Sequence, residues 1–316
     1  TAPFVDCAGI ARSLGAAARG AGKPVLSQVI TLERESEVAR LFGESGIPVH
    51  EFTETAARTL AALTRRGKSP GPESPPSARK DVRRAEAAQI IGRHRESGRF
   101  LPPNEVQGLL EAYGIPSVPT RWISDRTDLE QVSRDMVYPL VLKAAAAAMI
   151  HKTDRGGVAL DLRSREELLS SYEAMSGRLA GENPSFYVQE HKTGGREVFI
   201  GAKANEGLPP LILFGTGGVF IEALGDVQVR LAPLAPDEIL DMIRSSRGYA
   251  VLEGLRGGKP ADTDWLADVL GRLSQLAADF PEIDEIDLNP VLVFDRGVKG
   301  AVADARVKVK GSPAGG

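Results

Sequence analysis

The sequence predicts two unlike parts in series: a short segment of alternating helices and strands, then a longer α+β domain with hairpin-like strands. Three observations carry this reading. Helix and strand patterns alternate over residues 1–66, which implies a parallel sheet covered by helices. A proline-rich run without apolar periodicity follows at 67–84. From residue 85 to 316, helices mix with consecutive strands separated by glycine-bearing turns, so the longer part is not a simple βα repeat.

In the first part, Ile10 to Ala21 is alanine-rich and helical, Pro24 to Val29 reads as a strand, and Glu33 to Ser45 is an amphipathic helix ending near Gly46. Ile47 to Glu51 is a short strand, and Thr53 caps a helix to Leu63. Two strands make a poor sheet alone, and the chain opens at Thr1 without Met, so the expectation is a chain that starts inside a domain. After the proline-rich run, a helix is expected from Ala85 to Glu96, and Asn104 is placed to cap one from Glu105 to Tyr113. Arg121 to Ile123 is a strand, and Asp125 to Val137 contains a helix. Tyr138 to Lys143 reads as a buried strand, and Val158 to Leu162 as its neighbour. Ser164 with Glu167 forms the pattern of a capping box for a helix to Leu179. Phe186 to Glu190, Arg196 to Ile200 and Leu211 to Phe214 are strands. Pro236 to Arg244 and Thr263 to Ala278 are helices, and Glu285 to Val293 and Ala301 to Val309 close the chain as strands.

The chain has 316 residues, enough for about two domains. Hydrophobic residues are 42% and charged residues 26%, as in a folded globular protein. A net charge of −3 gives no strong pull toward nucleic acid or an anionic membrane, and no apolar run reaches the length of a membrane span. The single Cys7 excludes an internal disulfide and a cysteine metal cluster, and the composition points to a reducing cytoplasm.

Two constellations carry chemistry. The first is the strand ending at Lys143, followed by His151-Lys152-Thr153-Asp154-Arg155-Gly156-Gly157. A lysine meets phosphate as a point charge, and paired glycines let backbone N–H groups approach an anion. Binding phosphate needs no imidazole, but an imidazole can carry a phosphoryl group. Each part also has a plain structural reading: a strand-end lysine, a hairpin turn and a loop histidine. The second is Glu285-Ile286-Asp287-Leu288-Asn289-Pro290 with Asp304 on the next strand. Side chains alternate along a strand, so Glu285, Asp287 and Asn289 share one face while Ile286 and Leu288 face the core. A carboxylate beside an amide oxygen suits Mg²⁺, and the alternative is an exposed acidic hairpin edge. Gly215-Thr216-Gly217-Gly218 is a weaker phosphate-loop candidate.

From Leu110 to Val309 the chain resembles the ATP-grasp part of NDP-forming acyl-CoA synthetases, the group of ADP-forming acetate–CoA ligases related to succinyl-CoA synthetase. The resemblance rests on Glu111 to Pro116, Tyr138 to Lys143, His151 to Val158, Phe214 to Glu222, Arg230 to Leu234, Leu255 to Gly257 and Glu285 to Pro290. Residues 1–66 resemble the C-terminal part of the flavodoxin-like ligase domain that precedes ATP-grasp in fused members.

The resemblance implies an α+β ATP-grasp domain over 85–316 and a ligase using ATP or ADP with Mg²⁺. It implies the reversible conversion of acyl-CoA, ADP and phosphate into carboxylic acid, CoA and ATP through phosphohistidine. His151 matches a histidine that ferries phosphate on a swinging loop between two distant sites, and Asp287 matches the carboxylate that orients the phosphohistidine at the site away from the nucleotide. Lys143 matches the nucleotide-phosphate lysine, with Gly156 and Gly157 in its loop. Gln189, Glu190 and His191 match the hinge whose backbone meets adenine, and Glu197 lies near the nucleotide. Asn289 and Asp304 match the metal ligands. Ala144 to Ala148 depart from relatives, which often carry a polar residue there. The CoA-binding domain and the domain with the first histidine are not matched within these residues. The resemblance therefore implies partner domains, on the same protein or a partner subunit, and an oligomeric assembly handling a small carboxylic acid and its CoA thioester. Two other readings stay open: a regulatory ATP-grasp module of an acyltransferase-fused homologue, and another ATP-grasp carboxylate ligase.

Overall fold

The structure is a computed structural model that describes residues 6–29, 37–68, 75–76, 78–145, 156–182, 184–217, 226–254 and 258–311. The chain divides into two compact units, Thr1–Glu73 and Ser74–Gly316.

In the first unit, α1 (Cys7–Ala21) starts at Asp6, whose carboxylate accepts the Gly9 N–H at 2.8 Å. It ends at Gly22, in the left-handed region at φ 60°. β1 (Ser27–Gln28) pairs in parallel with β2 (Val49–His50), between α2 (Glu37–Glu44) and α3 (Thr53–Lys68). The strands are shorter than expected because β2 is the only partner β1 has among the described residues, and Pro48 before it has no N–H to give. Ala11, Phe42 and Ile47 form the small core. α3 runs to Lys68, past its expected end at Leu63.

The second unit holds α4 (Arg84–Arg93), α5 (Pro103–Ala112), β3 (Thr120–Ile123), α6 (Arg126–Asp135), β4 (Leu140–Ala145), β5 (Val158–Leu162), α7 (Arg165–Arg178), β6 (Ser185–Glu190), β7 (Arg196–Asn205), β8 (Leu208–Thr216), β9 (Gln228–Leu231), α8 (Pro236–Arg244), α9 (Tyr249–Glu253), α10 (Thr263–Asp279), β10 (Ile283–Val293), β11 (Ala301–Val302) and β12 (Ala305–Val309). Two antiparallel sheets organise it. One has four strands in the order β3-β6-β4-β5. The other runs β11-β10-β7-β8-β9, with β12 also paired to β10.

Each sheet buries one face. Leu140, Leu142, Phe186 and Val188 of the small sheet pack against Leu129 and Val132 of α6 and Leu168 and Met175 of α7. Ile200, Ile212, Phe214, Ile286 and Leu288 of the large sheet pack against Leu109 of α5, Met242 of α8 and Val269, Leu270 and Leu273 of α10. Each such side chain contributes roughly 1.5–3 kcal/mol by leaving water. Alternation then sends the intervening side chains to the opposite faces: Trp122, Lys143, Tyr187 and Gln189 on the small sheet, Glu285, Asp287 and Arg306 on the large one.

Three expectations change. α5 begins at Pro103 with Pro102 as its N-cap, not at Asn104, because a proline with no N–H suits the first helical position. Glu167 does not complete a reciprocal box with Ser164: the Ser164 hydroxyl accepts the Glu167 N–H at 3.2 Å, but the Glu167 carboxylate takes the Arg163 N–H at 2.7 Å. The proline-rich stretch is packed from residue 78 onward. Arg79 N–H donates to Gln275 at 2.8 Å, Asp81 pairs with Arg272 at 2.7 Å, and Arg83 N–H donates to the Ala112 carbonyl at 2.7 Å.

Candidate functional site

Lys143 sits on β4, flanked on the covered face by Leu142 and Ala144, so its own side chain enters the space between the sheets. It is 12% exposed, too buried for an ordinary surface lysine. Its ammonium donates to the Ala303 carbonyl at 2.9 Å and lies 3.9 Å from Asp304 Oδ1. This contact joins the small sheet to the large one.

Ala303 and Asp304 lie where the last expected strand breaks in two. Pro290 of β10 has no N–H, so the ladder cannot run straight through it. The register against β7 shifts between Leu288 and Val291, and the partner chain parts into β11 and β12. Across the break, Asn289 N–H donates to the Asp304 carbonyl at 3.0 Å and Ala303 N–H to the Pro290 carbonyl at 3.0 Å. The sequence pattern thus brings Asn289 and Asp304 together, and adds a backbone carbonyl that side-chain patterns do not announce.

Asp287 stands between Gly201 of β7 and Arg306 of β12. Burial pushes its carboxyl above the usual range; Arg306 opposes this, while Asp304 and Glu285 reinforce it. Two carboxylates, Asp287 and Asp304, thus lie near each other, with Lys143 against the second.

The small sheet contributes more than its lysine. Tyr187 pairs in register with Lys143, and its ring lies 4.7 Å from that of Trp122. Burial first, then the Asp304 charge, raises the Tyr187 phenol above its ordinary range. Gln189 is buried and its amide donates to Thr120 Oγ1 at 2.9 Å. Thr120, Trp122, Tyr187, Gln189, Ala303 and Asp304 line one cavity. The sequence reading missed Trp122 and Tyr187, although alternation from Gln189 places Tyr187 on its face.

The hinge residues follow on. Glu190 N–H donates to the Pro119 carbonyl at 3.3 Å and His191 N–H to the Pro139 carbonyl at 2.9 Å, so both amides are engaged within the small sheet. Glu197 opens the large sheet on β7, exposed, and its carbonyl accepts the Gly217 N–H at 2.7 Å. A Cβ on Gly217 would come within 2.7 Å of that carbonyl oxygen, so the position requires glycine. Gly157 returns its carbonyl to the Ala144 N–H at 2.8 Å, and the Gly156 carbonyl accepts from Arg178 at 3.0 Å, tying both glycines to β4 and α7. His151 lies outside the described residues, as do 146–155 and 218–225.

Residues 93–309 match the ATP-grasp domain family, over well more than half of the chain. The β subunit of ADP-forming acetate–CoA ligase I from Pyrococcus furiosus is 32% identical over 216 residues, covering 67% of this chain and 93% of that one. The chain belongs to the NDP-forming acyl-CoA synthetase family, in its ATP-grasp half. Within that family, ADP-forming acetate–CoA ligase I from Archaeoglobus fulgidus is 36% identical over 304 residues, 93% of this chain but 43% of that protein. The 4-hydroxybutyrate–CoA ligase of Nitrosopumilus maritimus is 32% identical over 90% of this chain and 42% of that protein. This synthetase chain therefore spans less than half the length of those two relatives. Among solved structures, the dinucleotide-forming acetyl-coenzyme A synthetase 1 of Ca. Korarchaeum cryptofilum, in complex with coenzyme A and Ca-AMPCP, superposes with a TM-score of 0.66 at 32% identity, covering 71% of this chain and all of that one. Among the described residues no helix is long and apolar enough to cross a membrane.

Proposed function

We propose that this chain is the nucleotide-binding, phosphoryl-transfer half of an ADP-forming acid–CoA ligase. The observation that carries the reading is the junction of the two open sheet faces, where Lys143 meets Ala303 and Asp304 beside Asn289 and Asp287. Lys143 binds the nucleotide phosphates, exchanging its bonds to Ala303 and Asp304 for phosphate oxygens. The base lies toward the hinge Gln189-Glu190-His191, Glu197 lies near the nucleotide, and Gly156 and Gly157 form the foot of the carrier loop.

The residues also fit Mg²⁺. Asn289 and Asp304 supply two oxygen donors, and Mg²⁺ takes one or two protein oxygens with waters and phosphates making up the rest. Held by Asn289 and Asp304, Mg²⁺ would supply charge neutralisation at the phosphate oxygens.

His151 acts as the phosphoryl carrier. In the ATP-forming direction its N–P bond breaks, a terminal oxygen of ADP forms the new P–O bond, and the imidazole nitrogen recovers its lone pair. Asp287 orients the imidazole. The phosphoryl group arrives from a first histidine on a partner domain or subunit, which also binds CoA and the acid. That the Pyrococcus furiosus relative is a separate β subunit supports this division. The test is incubation of the chain with γ-labelled ATP and Mg²⁺, then mapping of acid-labile, base-stable label. Label on His151, lost in His151→Ala with ADP affinity retained, is the expected outcome. Label elsewhere removes the carrier role, and nucleotide binding without any label favours a regulatory module.

A further inference from the structure

One strained residue lies outside the machinery described so far. β4 and β5 fall out of step between the pairs Leu140↔Leu162 and Leu142↔Ala159, so Leu160 and Asp161 both stand opposite Val141. Asp161 takes the left-handed conformation at φ 55°, one of two residues other than glycine with positive φ among those described. A bulge of this kind re-aims a side chain, and a strained non-glycine residue points to a role that outweighs its cost.

The re-aimed carboxylate has two neighbours. Arg163 donates to Asp161 Oδ2 from Nε at 3.0 Å and from Nη2 at 2.8 Å, which holds the carboxyl below its usual range and keeps it an anion. Its other oxygen, Oδ1, lies 3.6 Å from His191 Nδ1. That nitrogen is buried with no partner within hydrogen-bonding distance, and His191 adds a smaller push to holding the Asp161 carboxyl down. The charged residues on either side of His191 in the chain are spent on each other, Lys192 Nζ lying 2.5 Å from Glu190 Oε2. Asp161 is thus the acid that faces a buried ring nitrogen without a close partner, in the segment that carries the chain from the small sheet to the large one.

We propose that Asp161 is a positioning residue for the hinge: it accepts the Nδ1 proton of His191, fixes the ring's tautomer and orientation, and thereby sets the hinge geometry on which nucleotide affinity depends. A carboxylate behind a histidine is a common way of fixing the ring and leaving Nε2 as the free acceptor. The effect on nucleotide affinity rests on the reading of residues 189–191 as the nucleotide hinge; the Asp161–His191 pair does not.

The experiment uses the full 316-residue chain, with Asp161→Asn, Asp161→Gly, His191→Gln and the Asp161→Asn/His191→Gln double variant. Imidazole ¹⁵N shifts report the His191 tautomer, calorimetry with ADP and Mg²⁺ reports affinity, and thermal melts report folding. Asp161→Gly removes the carboxylate but suits the backbone, so its Tm should equal or exceed that of the parent. In both Asp161 variants the Nδ1-protonated signature should be lost and ADP affinity should fall roughly 3- to 10-fold, the range of one hydrogen bond. The double variant should bind no worse than His191→Gln alone. An unchanged ring spectrum overturns the proposal, and so does a changed spectrum with unchanged ADP affinity in a parent chain that binds ADP. If the parent chain binds no ADP, the nucleotide reading fails, and the ring spectrum alone decides the pair.

Discussion

Asp284 and Asp287 lie on the same strand, β10, and meet opposite surroundings. Asp284 accepts from Lys203 at 3.2 Å and pairs with Lys308 at 3.3 Å, while Glu285 takes Lys203 at 3.1 Å. Burial opposes it, but these two ammonium groups hold the Asp284 carboxyl below the usual range. Asp287, a turn of the pleat away, is pushed the other way by burial, with Asp304 and Glu285 adding to the push and Arg306 only offsetting it. Around Asp284, two acids meet two bases. Three residues further along the strand, Asp287 has Arg306 against burial and two acids. Acid that is matched by bases serves the scaffold, and a buried acid held above its usual range is a candidate for a role in a site.

The comparison can be broken from its functional end first. Lys143→Ala should weaken ADP binding by roughly 10- to 100-fold, since a charge-assisted bond contributes about 1.5–3 kcal/mol. Calorimetry at millimolar Mg²⁺ checks this, and an unchanged Kd would mean Lys143 only holds the sheets together. Next, Asn289→Ala and Asp304→Ala should each remove most of the difference in ADP affinity between Mg²⁺ and chelator, about 10-fold at a free-energy difference near 1.4 kcal/mol. If both variants keep the parent's Mg²⁺ dependence, the metal ligands lie elsewhere.

Asp287→Asn should raise stability while lowering phosphoryl transfer. It removes a buried, under-compensated charge, a gain of about 1 kcal/mol or 2–4 °C in Tm at neutral pH. A fall in Tm would mean Asp287 is as well paired as Asp284. The smallest effect belongs to Asp284→Asn, a loss of about 0.5–1 kcal/mol at neutral pH from a partly exposed pair of ion contacts. Because the folded carboxyl lies below its ordinary value of 3.8, its contribution is complete above that pH and disappears as the pH falls through the folded value. Melts of parent and variant should therefore differ at pH 7 and converge in acid.

The surroundings of Asp284 and Asp287 were not equally legible in the sequence. Period-two alternation placed Glu285, Asp287 and Asn289 on one face and Ile286 and Leu288 in the core, and the structure has Ile286 and Leu288 buried. It gave no sign that Lys203 and Lys308 satisfy Asp284, because cross-strand partners depend on register, which distant residues set. The lysine at the end of a buried strand was visible; its acceptor, the Ala303 carbonyl, was not, since a backbone group has no side-chain signature. Pro290 held the clue to the broken last strand, because a proline inside a central strand leaves the ladder without a donor. Trp122 and Tyr187 read as ordinary strand aromatics, and only the open face of the small sheet shows them as cavity walls. The end of the proline-rich stretch misled because Arg79 and Asp81 find their partners on α10, far along the chain.

The small sheet and its helices are an insertion whose two ends enter side by side. The chain enters β3 from α5 at 118–120, where Val118 N–H donates to the Val302 carbonyl of β11, and leaves between β6 and β7 at 190–196, and Glu190 N–H fastens the two passages together through the Pro119 carbonyl. A plate held by two neighbouring straps keeps one easy rotation, about the line through them. A third point of attachment off that line removes it. Lys143 gripping Ala303 is such a point, and under the proposed function it is also the group that lets go to take phosphate. On that proposal, loading the cleft and releasing the plate's angle become a single mechanical event.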